Sequence, residues 1–208
     1  MISVSILNEK ENYEQSINKI NKTNVDYLHL DIMDKTFTIN SSFSIDQAKE
    51  INKLNNKKLD IHLMSEDLDN ILDEYIKLKP DIISIHFEAV DKIDKYIKKI
   101  KKNNIKVGIA INPDTLVSEI YQYLDQIDIV LVMGVKPGKS GQTYIEDTTK
   151  KLIQLKKMQP NYKYLIEVDG GINNKTINKV KDYANIIVSG SYITSSDNYQ
   201  DNINILNQ

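Results

Sequence analysis

Short apolar, β-branched runs alternate with longer stretches of helical spacing along the whole chain. That alternation is the signature of parallel strands joined by helices. Eight such units are present, with strands over Ser3–Leu7, Tyr27–Ile32, Leu59–Leu63, Ile82–His86, Val107–Ile111, Ile129–Met133, Tyr164–Val168 and Ile186–Ser189. Each strand is expected to be followed by a helix. Ile93, Ile97 and Ile100 recur at helical intervals within a lysine-rich polar face, as do Ile71, Leu72, Tyr75 and Ile76; these apolar stripes should pack on the outside of the strands. Eightfold alternation in 208 residues favours a closed (β/α)8 barrel over an open doubly wound sheet. No linker or low-complexity tract interrupts it, so residues 1–208 read as a single domain.

Composition narrows the partners. A formal net charge of -2 gives no broad field that would draw the chain to nucleic acid or an anionic membrane, and a small molecule is the better partner. Lys98, Lys99, Lys101 and Lys102 end an expected helix, where cations complement the dipole and face solvent. Cysteine is absent, which excludes a thiolate metal site and points to a cytoplasmic protein. No apolar run reaches the ~18 residues of a membrane span, and Met1 to Leu7 lack the features of a signal peptide. Arginine is absent too, so a phosphate group must be held by backbone N–H groups, helix termini or lysine.

The three histidines, His29, His62 and His86, fall near the C-terminal ends of the second, third and fourth strands. In a (β/α)8 barrel that end carries the active site. His29 and Asp31 are two apart on one strand and share a face. His62 and Asp169 would join them from the third and seventh strand ends. Two imidazoles and two carboxylates suit one divalent ion such as Zn2+, Fe2+, Mn2+ or Co2+; a buried His–Asp hydrogen-bond network without metal fits the spacing equally well.

Glycines mark the last three strand ends, in Pro137-Gly138-Lys139-Ser140-Gly141-Gln142, Gly170-Gly171 and Gly190-Ser191. Together they offer close backbone approach to a phosphate, on the loops where barrels often bind one. Met33, Met64 and Met133 sit at strand ends as core filler or as an apolar cap over a reacting centre.

At the level of motifs the chain resembles the ribulose-phosphate 3-epimerase family over essentially its whole length. Ser5-Ile6-Leu7 is similar to the family's opening strand, His29-Leu30-Asp31-Ile32-Met33-Asp34 to its His-x-Asp-x-Met-Asp, and His62-Leu63-Met64 to its His-Leu-Met. His86-Phe87-Glu88-Ala89, Asn112-Pro113-Asp114-Thr115 and Glu167-Val168-Asp169-Gly170-Gly171 follow in the family's order.

The resemblance implies a TIM barrel that interconverts D-ribulose 5-phosphate and D-xylulose 5-phosphate in the pentose phosphate pathway. It implies that His29, Asp31, His62 and Asp169 ligate one divalent metal ion, with Asp31 and Asp169 also transferring protons on opposite faces of the substrate. Ser5 and His62 would contact the sugar, and Met33, Met64 and Met133 would cap it. The phosphate would lie among Gly138, Lys139, Ser140, Gly141, Gly170, Gly171, Gly190 and Ser191. A homo-oligomer is also expected, as the family is commonly oligomeric.

Two loops depart from the family pattern. Asp34-Lys35-Thr36-Phe37-Thr38-Ile39-Asn40 lacks the family's glycine and proline, and Lys136-Pro137-Gly138-Lys139-Ser140-Gly141-Gln142 introduces two lysines into the phosphate loop. These changes leave two other readings open: a 3-epimerase of a six-carbon ketose phosphate such as D-allulose 6-phosphate, and a phosphosugar-binding barrel without catalysis.

Overall fold

The structure, a computed structural model, describes residues 1–208. Eight parallel strands, β1 (Ile2–Ser5), β2 (Tyr27–Met33), β3 (Lys58–Met64), β4 (Ile82–His86), β5 (Lys106–Ile111), β6 (Ile129–Met133), β7 (Leu165–Asp169) and β8 (Ile186–Ser189), close in sequence order into one barrel. Closure is made by β1 and β8, with Ser3 beside Val188 and Val4 beside Ser189. The (β/α)8 TIM barrel expected from the alternation is the fold observed.

Seven α-helices accompany the strands: α1 (Tyr13–Ile20), α2 (Ile45–Leu54), α3 (Leu68–Lys77), α4 (Ile93–Lys102), α5 (Asp147–Met158), α6 (Ser191–Thr194) and α7 (Tyr199–Leu206). The isoleucine stripe of α4 buries Ile93, Ile97 and Ile100, and α3 buries Leu72, Tyr75 and Ile76, as their spacing predicts. The lysines ending α4 lie at its solvent edge, Lys99 pairing with Asp73 at 2.8 Å. No helix is long and apolar enough to cross a membrane.

The expectation of a helix after every strand fails in two units. After β5 and β7 the chain forms only 3₁₀ turns, Val117–Tyr123 and Ile177–Lys179. In both connections the local sequence disfavours an α-helix: β-branched and aromatic residues fill the first, while Gly170-Gly171 and Asn173-Asn174 take up the start of the second. Strand β1 also stops before Leu7, because Leu7–Glu9 turns into a 3₁₀ segment that carries the chain off the barrel rim.

Two cores result from the period-two alternation of the strands. Outward residues such as Leu28, Leu30 and Ile32 of β2 join the helices in one cluster of 49 buried side chains. Inside the barrel, Tyr27, Ile82, Ile129 and Ile186, one from each even strand, form an apolar plug. This is the layered filling expected of a barrel interior. Above the plug the interior turns polar on one side, with Ser3, Asp60 and Glu167 from odd strands fully buried, while Ala110, Leu131 and Met133 keep the other side apolar. At this level Gly108 is required: a Cβ there would fall 2.2 Å from Ser84 Oγ.

Candidate active site

The same alternation that builds the plug brings the chemistry to the C-terminal rim. On β2, Tyr27 lies in the plug, His29 one layer higher and Asp31 at the mouth, all on one face. Strand pairing sets His62 beside Asp31 and Asp169 beside Met133. His29, Asp31, His62 and Asp169 thereby converge, each offering a ligand atom within 4.8 Å of the others.

The hydrogen bonds show what each side chain is held for. Ser5 Oγ donates to Asp31 Oδ2 at 2.7 Å. Asp31 Oδ1 stands 3.1 Å from His62 Nδ1 and 3.4 Å from His29 Nε2. His29 is steered from behind by Asp60, whose Oδ2 lies 2.7 Å from Nδ1 and also accepts Ser3 Oγ–H at 2.9 Å. His29 Nε2 is completely buried yet has no hydrogen-bond partner. A hydrogen-bond network alone would leave that atom unsatisfied at a cost of about 1–3 kcal/mol, whereas a metal ion among the four residues gives it a partner. The orphaned nitrogen and the two-imidazole, two-carboxylate donor set fit a metal ion.

The two carboxylates differ sharply in acidity. Burial would raise Asp31, but His29 and His62 outweigh it and hold the carboxyl well below the usual carboxylate range. Asp169 is pushed up to about 6, first by burial and then by the charge of Asp31. His29 resists the lowering effect of burial because Asp60 and Asp31 flank it, and it lies well above its ordinary value. Beneath the site, burial and then Asp60 raise Glu167 well above the normal range. His86 goes the other way, lowered by burial to about 4.

Asp31 and Asp169 open into a cavity of about 430 Å³. Ser5, Met64 and Met133 form its walls near the carboxylates, and Gly138, Lys139, Ser140, Gly141, Gly170, Gly171, Gly190 and Ser191 line its far end. His29 and His62 lie below its floor, both fully buried. Met33 is the exception among the expected capping residues. The loop returning from residue 40 clasps its backbone, Ser42 Oγ accepting the Met33 N–H at 2.8 Å. Met33 borders instead a separate cavity of about 510 Å³ with Phe43 and Tyr75.

Backbone geometry explains the double glycine. Gly170 and Gly171 have φ of +112° and +72°, and a Cβ on Gly171 would lie 2.6 Å from the backbone nitrogen of Tyr144. Only glycine permits that close approach of β7's exit to the β6 loop. The β2 loop also reaches the glycine-containing loop after β6, Asn40 Nδ2 donating to Gly138 O at 2.9 Å.

Sequence reading by itself missed Ser3, Asp60 and Glu167, which support the site from below, and assigned no role to Glu88 or Phe37. A signal for the first three was present: each lies two residues before a recognised site residue on the same strand, Ser5, His62 and Asp169 respectively, and so shares its inward face.

Comparison with known proteins gives the same answer over nearly the whole chain. The model of the ribulose-phosphate 3 epimerase family matches residues 1–194. A ribulose-phosphate 3-epimerase of Buchnera aphidicola is 35% identical over 184 residues, covering 86% of this chain and 81% of that protein. One of Methanocaldococcus jannaschii is 38% identical over 186 residues, covering 88% and 79%. Among solved structures, Mycobacterium tuberculosis tryptophan synthase superposes with a TM-score of 0.73 over 99% of this chain and 90% of its own at 6% identity, a likeness of fold alone. With the barrel, the His/Asp cluster and these relatives in agreement, the chain belongs to the ribulose-phosphate 3-epimerase family.

Proposed function

We propose that this chain interconverts D-ribulose 5-phosphate and D-xylulose 5-phosphate by moving the proton at C3. The observation that carries the reading is the convergence of two carboxylates, Asp31 from β2 and Asp169 from β7, on the floor of one cavity whose far end is built of glycine loops. Inversion at a carbon requires a proton to leave one face and another to arrive on the opposite face. A single carboxylate would return it where it came from; two carboxylates on either side of C3 supply both transfers.

Their unequal acidity suits the task. His29 and His62 hold Asp31 below the usual carboxylate range, whereas burial and the charge of Asp31 push Asp169 up, the direction of separation that assigns acid and base roles to neighbouring carboxyls. Ser5 Oγ–H fixes one Asp31 oxygen, and the loop glycines present backbone N–H groups to the phosphate. Lys139 adds positive charge on the same loop, where the chain has no arginine to offer. Met64 and Met133 give the reacting end an apolar wall.

His29, His62, Asp31 and Asp169 would hold one divalent ion, with Zn2+, Fe2+, Mn2+ and Co2+ all compatible with the donor set. When bound, the ion supplies Lewis-acid stabilisation of charge developing on the C2 and C3 oxygens. The histidines would hold it, and the carboxylates would combine that duty with proton transfer.

Turnover of D-ribulose 5-phosphate against D-allulose 6-phosphate tests the substrate assignment. The expected result is a clear preference in kcat/KM for the pentulose. A large preference for the hexulose would transfer the same chemistry to a longer sugar, and no turnover of either would leave a binding barrel.

A further inference from the structure

A line of hydrogen-bonded side chains runs from the metal-ligand cluster to the exit of β5, and the mechanism above does not use it. His62 directs Nδ1 at the carboxylates, 3.1 Å from Asp31 Oδ1 and 3.9 Å from Asp169 Oδ2. Its other nitrogen, Nε2, lies 2.9 Å from Nε2 of His86. His86 Nδ1 in turn lies 3.0 Å from Glu88 Oε2. Glu88 Oε1 accepts the Asn112 backbone N–H at 2.7 Å and the Thr115 hydroxyl. Both imidazoles are completely buried, and the Phe37 ring lies over His86 with centroids 4.6 Å apart.

Counting donors fixes the direction of this line. A nitrogen that ligates a metal carries no proton, so His62 ligating through Nδ1 has its N–H on Nε2. That N–H must donate to His86 Nε2, which is then an acceptor. The proton of His86 therefore sits on Nδ1 and donates to Glu88. Three donors meet at Glu88, from His86, Asn112 and Thr115, and only a group with acceptors on both ends satisfies them all. The turn that supplies two of these donors is itself anchored: Lys151 Nζ on α5 donates to the carbonyl oxygens of Asn112, Pro113 and Thr115.

We infer that His86 and Glu88 are positioning residues, a two-member relay that fixes the tautomer and ring orientation of His62 and so strengthens metal binding. Asp60 does the equivalent for His29 in a single step; His62 needs two because its outer nitrogen faces another imidazole instead of a carboxylate. The inference rests on the metal reading of the cluster. Outer partners of ligating histidines commonly contribute about 10–100-fold in metal affinity.

The test measures the zinc dissociation constant of the full chain by competition with a chromophoric chelator, alongside long-range proton–nitrogen correlation spectra of the zinc-loaded protein. Glu88→Gln places an amide N–H against one of three donors, and His86→Phe removes the relay. Each should weaken zinc binding by about 10–100-fold. His86→Gln can accept from His62 through its carbonyl and donate to Glu88 through its amide, and should recover most of the loss. In the wild-type spectra His62 should carry its proton on Nε2 and His86 on Nδ1. Unchanged zinc affinity in folded Glu88→Gln, or a His62 proton on Nδ1 in the loaded protein, would overturn the relay while leaving the metal site standing. A wild-type chain that binds no zinc, manganese, iron(II) or cobalt would overturn the metal reading and the relay together. Should His86→Phe fail to fold, the Glu88→Gln affinity and the wild-type spectra still decide.

Discussion

In the proposed mechanism Asp31 and Asp169 would each combine two duties that pull on their acidity in opposite senses. A metal ligand must be ionised, and a proton donor must hold a proton. The protein separates the two groups by surroundings: hydrogen bonds and histidines around Asp31, burial and a neighbouring negative charge around Asp169. Replacing either with asparagine keeps the shape and removes the proton chemistry. Asp31→Asn and Asp169→Asn should each lower kcat by at least about 10²–10⁴-fold with an unchanged circular dichroism spectrum; near-normal turnover in either would sink the two-carboxylate mechanism. The four presumed ligands were legible in the sequence because they cluster at strand ends and match family motifs. Asp60 and Glu167 were not, since a buried carboxyl in an otherwise apolar strand looks like an interruption until the strands are stacked. The surroundings of Met33 were not legible either. Its position two residues beyond Asp31 is correct for the mouth, but the Ser42 clasp that draws the return loop against it depends on eight intervening residues whose path no periodicity describes.

At the scale of elements, hydrophobic periodicity located every strand, and the helices with strong apolar stripes. It failed where a connection is too rich in glycine, β-branched or aromatic residues to wind an α-helix, after β5 and β7. Those helix-free units carry loops at the barrel mouth: residues 112–115 form the turn that meets Glu88, and residues 170–171 are the double glycine. The contact between α5 and β7 offers a separate check on the packing. Tyr164, just ahead of β7, is buried with its hydroxyl donating to Leu155 O at 2.9 Å, and burial, with Tyr162 and Tyr121 nearby, pushes its phenol up to about 12. A raised folded-state pKa means that the neutral phenol is favoured in the fold. Its contribution is complete below the unfolded value of about 10 and is lost as pH rises from there towards 12. Tyr164→Phe should cost about 1 kcal/mol at neutral pH, because the Leu155 carbonyl loses one of its two donors and keeps only the Gln159 backbone N–H, and should flatten part of the alkaline decline. Tyr75, also pushed up to about 12 by burial, leaves a residual slope. Denaturant titrations of both proteins from pH 7 to 12 measure this, and identical alkaline slopes would mean that Tyr164 is not buried as described.

Across the whole molecule, the barrel separates stability from chemistry along its axis. The apolar plug of Tyr27, Ile82, Ile129 and Ile186 closes one end, a level polar on one side lies above it, and residues of β1, β2, β3, β6, β7 and β8 or the loops that follow them line the mouth. The central claim is that the cluster moves the C3 proton between two carboxylates. Turnover of D-ribulose 5-phosphate in heavy water, followed by proton magnetic resonance of both sugars, tests it most directly. The expected result is deuterium at C3 of the D-xylulose 5-phosphate formed and none at carbons that do not react, with Asp31→Asn and Asp169→Asn each blocking that product. Product formed without deuterium at C3, or with label introduced elsewhere along the chain, would contradict it.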